Sequence, residues 1–165
     1  EPPSHVVFIF ATTEIHKIPA TIMSRCQHYN FRRIARQEII DRLRHVAAYD
    51  AATAELEGIE PLVRNPEDTH ALHLYIVRID AERAGAPRDE YQQALADERI
   101  GTSIHFLPVH RLTAYRERYP EQAPLPVAEK AGDEILSLPL SAAHSDADVE
   151  DAIDALRRVH ARFTR

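Results

Sequence analysis

The stretch SDADVEDAIDALRRVHARF, near the end of the chain, restricts the fold more than any other. Val149, Ile153, Leu156, Val159 and Phe163 recur at steps of three and four residues, so a helix gathers them on one side. Ser145 stands at the N-cap position, Asp146 and Asp148 fall in the first turn, and Arg157, Arg158 and Arg162 lie toward the carbonyl end. Each charge matches the helix dipole it sits in. Such a stripe must be buried against a second layer. LHLYIVRI, Leu72 to Ile79, offers that layer as a strand, with Leu72, Leu74, Ile76 and Arg78 on one face and His73, Tyr75, Val77 and Ile79 on the other.

Further short elements alternate around these two. Strands are expected at Ile59 to Val63, over TSIHFLPVH (residues 102–107, stopped by Pro108) and at SLPL. Helices are expected from Pro87 to a stop before Gly101, over RLTAYRERY and over PVAEKAGDEIL. The alternation reads as α/β, a small sandwich with helices against one sheet.

The first part of the chain is patterned differently. HVVFIFAT, His5 to Thr12, is a β-branched and aromatic run of the kind buried on both faces of a parallel sheet. IPATIMSR reads as one short helix with Pro19 in its first turn, and QHYNFRR as a second strand. From Ala35 to about Leu56 a helix is expected, with Ile39, Ile40, Leu43, Val46 and Ala47 on one face and Glu38 paired to Arg42 on the other. This gives a short βαβα fragment. Its strands lack sheet neighbours of their own, so pairing with the second lobe or with another chain is expected.

The charge divides along the same line. Residues 1–50 hold seven Lys/Arg against five Asp/Glu, whereas residues 51–165 hold thirteen against twenty-one. Neither part has a dense basic patch, so direct nucleic-acid binding has little electrostatic support. No apolar run reaches the roughly 18 residues of a membrane span. A single cysteine, Cys26, excludes an internal disulfide framework and fits a reducing, cytoplasmic setting. The chain begins at Glu1 without a secretory signal pattern, which fits a fragment.

Two resemblances run along the chain. Residues 5–43, HVVFIFATTEIHKIPATIMSRCQHYNFRRIARQEIIDRL, resemble the AAA+ module of the bacterial DNA polymerase III gamma/tau clamp-loader subunit, from its polar sensor to its Ser-Arg-Cys finger. Residues 45–165, with AAYDAATAEL, THALHLYIVRID, RDEYQQALADERIGTSIHFLPVHRLTAYRERYP, LPVAEKAGDEILSLPLS and SDADVEDAIDALRRV, resemble the C-terminal part of the DegT/DnrJ/EryC1/StrS aminotransferases. These are pyridoxal-phosphate enzymes of nucleotide-linked keto-sugars. The expected organisation is therefore a clamp-loader-like fragment, 1–44, spliced within one helix to an aminotransferase small-domain-like lobe, 45–165.

The resemblances also name residues. Thr12 and Thr13 match a sensor that would face a γ-phosphate, with ATP and magnesium implied. Arg25 matches an arginine finger acting on a neighbouring subunit's nucleotide, and it equally suits a helix end, where its charge favours the dipole. Neither a G-x-x-x-x-G-K-[ST] loop nor its metal carboxylate is present. In the lobe, His105, with His110 and Tyr115 behind it, is the expected contribution to a sugar pocket; the alternative for His105 is a satisfied strand histidine. Pyridoxal phosphate is implied by the family, but Lys17 and Lys130 are the only lysines and neither stands in the Schiff-base context. No bound cofactor and no metal site are expected, since His70 with His73, or His105 with His110, lack further ligands. Cys26 is expected to be buried ahead of its strand rather than reactive.

Three readings follow. The first is the C-terminal portion of a keto-sugar aminotransferase, catalytically incomplete without its large domain and paired with that domain or with a second copy. The second is a clamp-loader ATPase fragment. The third is an engineered or artefactual chimera without native activity.

Overall fold

A computed structural model describes residues 6–165. The chain divides into two compact units, Glu1–Arg33 and Ile34–Arg165.

The larger unit is built on a three-stranded antiparallel sheet of β1 (Ile59–Pro61), β2 (Tyr75–Ile79) and β3 (Ile135–Leu138), in that order. Ile59 faces Ile79 across the first pair, and Val77 faces Leu136 across the second. Alternation along β2 sends Tyr75, Val77 and Ile79 to one face, where Leu136 and Leu138 join them; all five are buried. Against that face pack α2 (Arg36–Thr53), α4 (Arg88–Asp97) and α7 (Asp146–Phe163). On the opposite face, Arg78 donates from Nε to Glu134 Oε2 at 2.9 Å, at the end of α6 (Pro126–Glu134).

The closing helix forms as its pattern requires. Ser145 accepts from the Asp148 N–H while Asp148 accepts from the Ser145 N–H at 2.7 Å, a reciprocal capping box. Val149, Ile153, Leu156 and Val159 are buried, and Phe163 is half-buried against the same core.

Helices α2 and α7 run parallel and in step. Arg44 meets Asp146 near the start of α7, and Glu55, just past the end of α2, meets Arg157 after an equal advance along both. α7 therefore begins level with Arg44, and the first two turns of α2 project beyond it. Val46, Tyr49, Ala52 and Thr53 are buried, whereas Ile39, Ile40 and Leu43 remain exposed. The single apolar face expected from Ile39 to Ala47 is therefore packed at Val46 alone, since Ala47 too is exposed.

Two glycines fix the far end of the lobe. Gly85 closes the single turn α3 (Ala81–Ala84) at φ 79°, and a Cβ there would lie 2.2 Å from the Phe163 carbonyl oxygen. Gly58, at φ 78°, would place a Cβ 2.5 Å from the Ala84 nitrogen. Only glycine meets both demands.

Several expected strands are absent. Residues 102–107 are reduced to one bridge, Ser103 to Ser137, because Pro108 and the turn before it leave too few backbone groups in line with β3. The last strand lies earlier than SLPL, at Ile135–Leu138. Among the described residues, 6–33 contain no strand: HVVFIFAT from Val6 onward and QHYNFRR are both unpaired. His5 lies outside the described residues. A strand needs a hydrogen-bonded neighbour, and an apolar run alone does not supply one. The smaller unit instead holds a 3-10 turn at Ile15–Lys17 and α1 (Ala20–Met23), where IPATIMSR places a helix. The α/β class therefore describes the larger unit, and the βαβα pattern is realised only in its helices.

Candidate functional site

Residue types that carry chemistry gather along the segment from Ser103 to Tyr119 and under it. The bridge between Ser103 and Ser137 is doubly bonded, at 3.2 and 2.7 Å, and ties this segment to the outer edge of β3. His105 Nδ1 then lies 2.8 Å from the Oγ of buried Ser137 and 3.4 Å from Ser103 Oγ. Arg111 donates to Asp133 from both Nη atoms, one at 3.0 Å, and this ion pair holds the Asp133 carboxyl below its usual range. Pro108 rests on Gly132, where a Cβ would come within 2.5 Å of the ring. The segment is thus fixed by its backbone and charged groups, not by its apolar side chains.

Those apolar side chains face outward. Phe106 is 78% exposed, and Val109, Leu112, Tyr115, Tyr119 and Val127 are exposed beside it. Tyr115 and Tyr119 stack with ring centroids 6.4 Å apart on α5 (Thr113–Arg118) and its cap. A fixed backbone presenting this much apolar surface is the form of an interaction face.

The expected pocket residues do not converge. His105 is engaged with Ser137, Tyr115 stacks on Tyr119, and the His110 Nε2 is buried, 3.4 Å from Glu129 Oε1 but not aligned to hydrogen bond with it. His70 Nδ1 accepts from the Leu72 N–H at 2.9 Å. Among the described residues, no three metal-ligating side chains stand together.

In the smaller unit, Arg25 Nη1 donates to the Thr21 carbonyl at 2.5 Å, Ser24 Oγ donates to the same oxygen at 3.3 Å, and a ring nitrogen of His28 lies 3.1 Å from the Met23 carbonyl. Arg25 therefore folds back over the carbonyl end of α1. Thr12 Oγ1 accepts from the Glu14 N–H at 2.9 Å in a local turn, and Thr13 is exposed. Cys26 is exposed, contrary to the expected burial, because the strand that was to cover it does not form.

A Schiff-base lysine needs an enclosed pocket that favours its neutral amine. Lys17 is exposed and pairs with Glu14 at 2.7 Å; Lys130 is exposed and lies 3.5 Å from Glu134. The residues present do not fit pyridoxal phosphate.

Sequence reasoning did not single out three groups that the fold brings together. Ser137 is the partner of His105. Arg88, though charged, is buried and donates from Nη1 to the Ile135 carbonyl at 2.9 Å, joining α4 to the start of β3. Tyr49 and Tyr75 stack at 4.8 Å, with Tyr75 donating to Asp50 at 2.7 Å and Tyr49 to the Pro139 carbonyl at 2.8 Å. Burial pushes both phenols above their ordinary range.

Comparison with known proteins decides the affiliation. The model of the DegT/DnrJ/EryC1/StrS aminotransferase family matches residues 24–157. The chain belongs to that family. A second model, of the DNA polymerase III delta subunit, matches residues 1–35, where the resemblance had pointed to the gamma/tau subunit of that polymerase. The spore coat polysaccharide biosynthesis protein SpsC of Bacillus subtilis is 39% identical over 127 residues, which are 75% of this chain and 31% of SpsC. The aminotransferase TlmJ from Streptoalloteichus hindustanus superposes with a TM-score of 0.67 at 31% identity, over 77% of this chain and 33% of TlmJ. DesI, solved in the presence of its TDP-sugar product, gives 0.67 at 31% identity over 75% of this chain and 31% of DesI. The chain thus spans about a third of the DegT/DnrJ/EryC1/StrS relatives it matches, 31% of SpsC.

Proposed function

We propose that residues 45–165 are the C-terminal portion of a pyridoxal-phosphate-dependent aminotransferase of nucleotide-linked keto-sugars, and that the chain alone is catalytically silent. Family membership supports the first half, together with the sugar-linked names of SpsC and DesI. The observation that carries the second half is the state of the two lysines, both exposed and both beside carboxylates. In this reading residues 1–44 are a clamp-loader-like fragment joined within α2, and the exposed face from Phe106 to Val127 is where an aminotransferase large domain, or a second copy, would cover the lobe. His105, His110 and Tyr115 would border the sugar pocket only with that cover in place. The setting is cytoplasmic.

The second reading, a clamp-loader fragment, rests on the match over residues 1–35. In it Thr12, Thr13 and Arg25 would serve a nucleotide held elsewhere.

Titration with pyridoxal phosphate, followed by borohydride reduction and peptide mass analysis, tests the main proposal. Slow, substoichiometric labelling of Lys17 and Lys130 alike is expected. Saturable labelling of one lysine at one equivalent would overturn it. ATP binding by calorimetry is expected to be absent, and a saturable isotherm would favour the second reading.

A further inference from the structure

Alternation along β3 sends Leu136 and Leu138 into the core and turns Ser137 to the opposite face, level with Ile76 of β2. Ser137 is buried there all the same, at 3% exposure. A buried hydroxyl has one proton to give and needs an acceptor for it. Both backbone groups of Ser137 are taken by the bridge to Ser103. Among the described residues, the one partner of Ser137 Oγ is His105 Nδ1, at 2.8 Å.

A neutral imidazole carries hydrogen on one nitrogen and accepts on the other, so two proton arrangements are open to this contact. With the hydrogen on Nδ1, the ring would donate to Ser137 Oγ, and the hydroxyl proton would be left buried with nothing to accept it. With the hydrogen on Nε2, Ser137 donates to the Nδ1 lone pair. His105 Nε2 has no partner among the described residues and is not enclosed, so its hydrogen reaches solvent. Ser103 Oγ, 3.4 Å from Nδ1, belongs to an exposed residue and can give its own proton to water. Only the second arrangement satisfies every polar atom of the pair.

We infer that Ser137 is a positioning residue for His105: its hydroxyl donates to Nδ1 and fixes the ring in the Nε2–H form, so that the lobe presents a hydrogen-bond donor at this point. The ring is steadied by the backbone on both sides of it, through the double bridge of Ser103 to Ser137 and the seat of Pro108 on Gly132. The consequence for substrate rests on the function proposed above. Where His105 borders the sugar pocket, it meets an atom with a lone pair, an oxygen of a hydroxyl, carbonyl or phosphate group, and a substrate N–H would find no acceptor there. Ser137 itself touches no substrate and acts through the histidine alone.

Nitrogen NMR of the full chain, isotope-labelled at histidine and held well above the ordinary histidine pKa of about 6.5, reads which ring nitrogen bears hydrogen. The His105 signals are assigned by their loss in His105→Gln. Nδ1 is expected to resonate as an unprotonated acceptor and Nε2 as a nitrogen carrying hydrogen, with a wide separation between the two. Ser137→Ala is expected to narrow that separation, because the ring then exchanges between its two forms, whereas Ser103→Ala is expected to leave it as in the wild type. The near-ultraviolet signal of the Tyr49–Tyr75 stack checks that the lobe stays folded, and the wild-type spectrum decides the proton's place even if Ser137→Ala does not fold. The inference is overturned by an Nδ1–H ring in the wild-type chain, by a separation that folded Ser137→Ala leaves unchanged, or by one that Ser103→Ala narrows as much. The measurement needs neither pyridoxal phosphate nor a large domain, so its failure would leave the aminotransferase reading standing, and the lysine labelling above tests that reading separately.

Discussion

His160 shows how much one buried polar residue governs at the residue scale. Tyr91 donates its hydroxyl proton to the Ala84 carbonyl at 2.8 Å, so its oxygen must accept from His160 Nδ1 at the same distance. The imidazole is thereby fixed in the Nδ1–H form. Burial lowers the His160 pKa from its ordinary value, with Glu57 pulling weakly the other way, and burial pushes the Tyr91 phenol up to about 12. The depressed value means that the unfolded chain takes up the proton first. This contribution to stability is complete above the ordinary histidine pKa of about 6.5 and is lost as pH falls through the lowered folded value. Urea midpoints should fall between pH 7.5 and 5.5, and the His160→Gln variant should flatten the slope; an unchanged slope would remove His160 as its source. Tyr91→Phe strands the Ala84 carbonyl and His160 Nδ1, and should cost about 1–3 kcal/mol in the same measurement. Ser145→Ala removes the capping box of α7 and should cost about 1 kcal/mol.

Element by element, helices were more legible than strands. The closing helix was readable to its cap because stripe, cap and charges all lie within one stretch of chain. HVVFIFAT was as strongly patterned, but from Val6 onward it finds no hydrogen-bonded neighbour among the described residues. TSIHFLPVH met β3 through Ser103 alone, and the pairing of His105 with Ser137 across 32 positions left no local trace. The same physics divides α2. Its Ile39–Leu43 stripe is as apolar as its Val46–Thr53 stripe, and only the arrival of α7 at Arg44 distinguishes them. Ile39→Ala and Leu43→Ala should therefore change unfolding free energy by no more than about 0.5 kcal/mol. Tyr49→Ala, on the same helix, should cost about 3–5 kcal/mol. Equal costs at the two sites in chemical denaturation would show that the first turns are covered after all.

For the whole molecule, the division into two units sets where the chain is open to attack. Lys17, Arg25, Arg32 and Arg33 are exposed, and the longest helix among the described residues before Arg36 is the four residues of α1. Limited trypsinolysis should cut at these four positions first and leave a resistant fragment that starts near Ile34, read by mass spectrometry. Early cuts at Arg78 or Arg157 instead would show that the lobe is the weaker unit. The family relationship was readable from the sequence because long stretches of the lobe keep the family's order. The clamp-loader-like segment was readable too, and the DNA polymerase III model over residues 1–35 agrees with it.

The two turns of α2 that stand clear of α7 present a face whose direction is set by residue count alone. An α-helix turns about 100° and rises 1.5 Å per residue, so each residue inserted or removed between Arg36 and Leu43 swings the start of the helix by about that angle while leaving the lobe's core untouched. Deleting four residues would bring the heading back to within about 40° and shorten the helix by about 6 Å.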